Sequence, residues 1–129
     1  GKGIVLRKGV KTAILCSGLM VQESLKAVLK MTEITPTVIN LPTIKPIDEA
    51  LIIETARSHE VIVTVEEHSV IGGLGSAVAE VLSPLGLPCR HYRLGMQDVF
   101  GRSGTPAALL DYYGLDARHI QAFVENVSR

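Results

Sequence analysis

Val61-Ile62-Val63-Thr64-Val65 leaves almost no polar position on either side of an extended chain. A strand with one face in water alternates apolar and polar residues, so an unbroken run belongs to a strand covered on both faces. Thr12-Ala13-Ile14-Leu15-Cys16 reads the same way. Next to these runs the pattern changes period. From Gly18 to about Met31, Val21, Leu25, Val28 and Thr32 recur on one helical face, with Gln22, Lys26, Lys30 and Glu33 on the other. Short β-branched runs alternating with amphipathic helices predict an α/β fold, a five-stranded sheet with helices on both sides.

The rest of the chain fits that frame. Residues 3–7 form a first strand, and Lys8-Gly9 is placed to turn the chain back. Pro36 stops the first helix, and Pro42 closes a strand at 37–41. Asp48 suits an N-cap, with Ile47 and Ile52 as a staple across it, for a helix to about Arg57. Residues 61–65 are the most hydrophobic strand and are expected at the centre. A third helix starts at Gly72 or Gly73 and stops before Pro84. Residues 89–94, with Arg90, His91 and Arg93, read as a polar edge strand. Thr105-Pro106 opens a helix that Gly114 closes, and Asp116 caps a last one carrying Ile120, Phe123, Val124 and Val127.

A length of 129 residues fits one domain spanning 1–129. Its 13 basic and 13 acidic side chains give no electrostatic footprint for nucleic acid or an anionic membrane surface. With 4% aromatic residues and no Trp, the core is expected to be aliphatic. Cys16 and Cys89 both fall in strand-like runs, which predicts buried thiols in a reducing compartment, the cytoplasm. No apolar stretch reaches the ~20 residues needed to span a bilayer, and Gly1-Lys2-Gly3 lacks the apolar core of a signal peptide.

The chemistry-bearing stretch is 65–82, VEEHSVIGGLGSAVAEVL. It admits three readings. Glycines at a helix start expose amides to an anion, but Gly73-x-Gly75-x-x-Val78 is not G-x-G-x-x-G, no G-K-[ST] follows, and Glu66 and Glu67 bring negative charge. Alternatively, Glu66, Glu67 and His68 end a central strand, where such sheets place ligands; yet neighbours on a strand point to opposite faces, so the two glutamates cannot address one atom. Against this stands a capping, solvated acidic turn. The third reading is a packing surface. Leu74, Val78, Val81 and Leu82 gather toward the sheet, while Gly72, Gly75, Ser76, Ala79 and Ser83 leave a nearly bare side for a neighbouring domain or subunit, or for water.

His59, His68, His91 and His119 are scattered without metal-ligand spacing, and there is no nucleophile elbow. Ser17-Gly18 is a weak anion nest or a helix cap. Asp98, Phe100 and Arg102 lie in a glycine-containing connection, and Phe100 and Arg102 are residue types that anchor interfaces. Candidate interface or ligand residues are therefore Glu67, His68, Gly72, Gly73, Gly75, Ser76, Ala79, Asp98, Phe100 and Arg102, with no catalytic, cofactor-binding or metal residue assigned.

In order, Ile44-Lys45-Pro46-Ile47-Asp48, Val65-Glu66-Glu67-His68 with Gly72-Gly73-Leu74-Gly75, Asp98-x-Phe100-Gly101-x-Ser103-Gly104 and Tyr113-Gly114-Leu115 resemble the C-terminal domain of transketolase. The likeness is greatest to the C-terminal section of split, two-subunit microbial transketolases and covers essentially the whole chain. Related domains close 1-deoxyxylulose-5-phosphate synthase and 2-oxo-acid dehydrogenase E1 β subunits, but the Phe100-Gly101-x-Ser103-Gly104 element fits transketolase better. The resemblance implies a three-layer αβα sandwich with a mixed five-stranded sheet, one strand antiparallel. It also implies an enzyme that moves a two-carbon ketol unit between sugar phosphates with thiamine diphosphate and a divalent metal, Mg or Ca. Those groups sit in N-terminal domains or an N-terminal subunit, so this domain would hold no cofactor, be inactive alone and support a homodimer, with a regulatory ligand as a further suggestion. The rival is a stand-alone small-ligand or nucleotide-binding module using the start of the third helix.

Overall fold

In the computed structural model residues 2–42, 44–69, 73–96 and 105–129 are described. Strands β1 (Ile4–Arg7), β2 (Lys11–Cys16), β3 (Thr37–Asn40), β4 (His59–Ser69) and β5 (Arg90–Met96) alternate with helices α1 (Met20–Leu29), α2 (Glu49–Ser58), α3 (Leu74–Leu82), α4 (Pro106–Tyr112) and α5 (Ala117–Val127). They form one sheet in the order β1-β3-β2-β4-β5. β2 to β5 are parallel and β1 is antiparallel to β3, the mixed five-stranded sheet expected.

The unbroken apolar runs have the predicted cause. Val61, Val63 and Val65 of β4 join Ile14, Cys16 and Val38 beneath Met20, Ala27 and Val28 of α1 and Ile120 and Val124 of α5. Ile62 faces the other way, with Ala13, Leu15 and Ile39, against Ile52 and Ala56 of α2 and Leu74 and Val78 of α3. Two apolar layers on one sheet make the αβα sandwich.

Lys8-Gly9 turns the chain back as expected, since β1 runs antiparallel to β3 and β2 parallel to it; a Cβ at Gly9 would overlap the Thr35 carbonyl and the Pro36 backbone. The connection runs along the start of β3, with Val10 N donating to Thr35 O at 2.9 Å and Gly9 N to Thr37 Oγ1 at 2.9 Å, so β1 pairs β3 at the sheet edge. Two expectations need correction. β4 is interior, but the central strand is β2. Residues 66–69 are strand rather than acidic turn.

Asp48 caps α2 as expected, accepting from Leu51 N at 3.2 Å, and its other oxygen accepts from Gly3 N at 2.9 Å. The Gly3 and Leu51 amides hold its carboxyl below the ordinary aspartate range. A depressed folded pKa gives stability that is present above the unfolded value near 4 and lost as pH falls. Asp48→Ala is therefore expected to cost about 1 kcal/mol in urea denaturation at pH 7, and the difference from wild type should shrink toward pH 3.

Candidate functional site

The carboxyl ends of β2, β3 and β4 lie side by side, where open α/β sheets bind ligands. Two glycine-led helix starts follow, Gly18 before α1 and Gly73 before α3. A helix N-terminus offers first-turn amides and the positive end of a helix dipole to an anion. In this chain neither is open.

Glu66 lies on the α2/α3 face of β4 and is 1% exposed. Its Oε1 accepts from Leu74 N at 2.6 Å and its Oε2 from Gly75 N at 2.7 Å. One buried carboxylate thus satisfies two first-turn amides of α3. Glu67, one residue on, points to the opposite face, and its Oε1 accepts from Leu19 N at 3.3 Å, where α1 begins. A side chain at Gly18, which has φ +59, would collide with that same oxygen. Period-two alternation therefore sends adjacent glutamates to two different helices. The acid/base pair and the phosphate cradle are both replaced by capping, and for Glu66 the cap is buried rather than solvated.

Gly75 also departs from expectation. At ~100° per residue it lies about 60° from Val78, on the flank of the covered face rather than opposite it. It is buried, and a Cβ there would stand 3.0 Å from Arg93 Cδ and 3.1 Å from Thr64 Oγ1. The close approach that glycine allows is to β4 and β5 of its own chain. Ser76 is half-buried, with Arg93 Nη1 donating to its Oγ at 3.4 Å. Ala79 and Ser83 border a groove of about 280 Å³ with Leu82, Cys89 and His91. Gly73 and Ser76 border another of about 490 Å³ with Lys45 and Glu80. The outward face of α3 is thus narrower than the sequence suggested. His68 is on β4, but its side chain lies outside the described residues, as do Gly72, Asp98, Phe100 and Arg102.

Sequence reasoning missed Thr64 and Arg93, which fix Gly75, and the grouping of Asp111, Asp116 and His119, whose ligand atoms lie within 4.8 Å of one another. The last grouping is internally satisfied. Asp116 caps α5 through His119 N at 3.0 Å and accepts from His119 Nδ1 at 2.6 Å, while Arg118 pairs with Asp111 at 2.9 Å.

The two thiols differ. Cys16 is fully buried, with its Sγ directed at Ile39 O at 3.4 Å, and burial pushes its pKa up to about 12. Cys89 is only half-buried, and burial raises its pKa as well. At pH 8, iodoacetamide is expected to label Cys89 slowly and Cys16 only after denaturation, as read by intact mass. Equal labelling of both in the folded chain would contradict the packing.

The comparisons agree with this architecture. The family model described as "Transketolase, C-terminal domain" matches residues 1–120. A transketolase C-terminal section from Methanocaldococcus jannaschii is 48% identical over 122 residues, 93% of this chain and 38% of that protein. The 1-deoxy-D-xylulose-5-phosphate synthase of Pseudomonas entomophila is 40% identical over 97% of this chain and 19% of its own length. A split-gene transketolase solved as an inactive β4 tetramer superposes with a TM-score of 0.89 at 46% identity, covering 97% of this chain and 41% of that one. Transketolase from Leishmania mexicana, at 15% identity and a TM-score of 0.67, shares the fold. The chain thus spans well under half of these relatives, and within that span it belongs to the transketolase C-terminal domain family.

Proposed function

We propose that residues 1–129 are the C-terminal assembly domain of a transketolase. In its complete form the enzyme transfers a two-carbon ketol unit between sugar phosphates with thiamine diphosphate and a divalent metal, Mg or Ca. The observation that carries this reading is the filling of both glycine-led helix starts by Glu66 and Glu67. A diphosphate bound there would have to displace the buried Glu66 carboxylate at α3, or the more exposed Glu67 carboxylate at α1, and sit beside its charge. These helix starts therefore do not fit the cofactor, and no catalytic step is assigned to them.

Catalysis then belongs to N-terminal domains or an N-terminal subunit, and this domain contributes surface to them and to a homodimer in the cytoplasm. The outer side of α3, with Ser76, Ala79 and Ser83 between two shallow grooves, is one such surface. Among the described residues no helix is long and apolar enough to cross a membrane. The 40% identity to a 1-deoxy-D-xylulose-5-phosphate synthase supports a second reading, the corresponding domain of that enzyme; the 48% and 46% identities to transketolases favour the first.

The test is direct. The purified chain, with thiamine diphosphate, Mg and donor and acceptor sugar phosphates, is expected to show no turnover until the section carrying the cofactor-binding domains is added. Turnover by the chain alone would contradict the division of labour.

A further inference from the structure

We draw no further inference here: the strongest candidate, the side-chain cluster of Asp111, Asp116 and His119 where α4 meets α5, is closed by its own hydrogen bonds and by the Arg118 ion pair, and nothing else among the described residues points to a cation bound there.

Discussion

Glu66→Ala is expected to destabilise the chain by about 3 kcal/mol, lowering its thermal midpoint by roughly 10 °C. The buried carboxylate accepts from two first-turn amides of α3, at 2.6 and 2.7 Å. Removing it strands both donors out of water and leaves a void at the helix start, and each loss carries a cost of order 1 kcal/mol or more. The desolvation cost of the carboxylate itself offsets part of this, which keeps the expected figure well below the sum of gross terms. Glu66→Gln keeps the volume and one acceptor oxygen but turns an amide NH₂ toward a donor, so about 2 kcal/mol is expected. Glu67→Ala provides the contrast. Its contact with Leu19 N is longer, 3.3 Å, and exposed, so a loss within about 0.5 kcal/mol is expected. Equal midpoints for Glu66→Ala and wild type would remove the capping account.

The second large effect is a pH dependence set by His91. Its Nε2 lies 3.0 Å from Thr64 Oγ1, and burial, with Arg93 adding repulsion, pushes its pKa down to about 4. The unfolded chain titrates this imidazole near 6.5. Between those values the unfolded state binds more protons, so stability rises with pH and is lost as pH falls from about 6.5 toward 4. From pH 7 to pH 5 the loss attributable to His91 is about 2 kcal/mol. His91→Gln has no such proton to take up. The difference in urea-derived stability between wild type and His91→Gln is therefore expected to shift by about that amount across the interval. A constant difference would show that His91 titrates normally in the folded chain.

Much of this architecture was legible because two patterns repeat. The unbroken runs at Thr12 to Cys16 and Val61 to Val65 require cover on both faces, and the helical periods supply it. The caps at Asp48, Thr105 and Asp116 were equally readable, since each bonds an amide three residues on. What escaped was nonlocal. Glu66 caps a helix from eight and nine residues upstream, across a turn whose length no capping motif encodes. Grouping Gly75 with the outer side of α3 fails because it lies only about two-thirds of a right angle from Val78. Nothing near it in sequence announces Thr64 and Arg93 as the neighbours that require a glycine. The placement of β1 beside β3 likewise depends on where Gly9 meets Thr35 and Pro36.

The central claim is that the glycine-led helix starts are closed by the chain's own glutamates and bind no ligand anion. It is tested most directly by titrating the labelled chain with thiamine diphosphate and Mg, with ATP and with inorganic phosphate while following backbone amide shifts. Residues 66–76 and 17–20 are expected to show no saturable perturbation. Saturable shifts confined to Leu74 and Gly75, with Glu66 displaced, would contradict it.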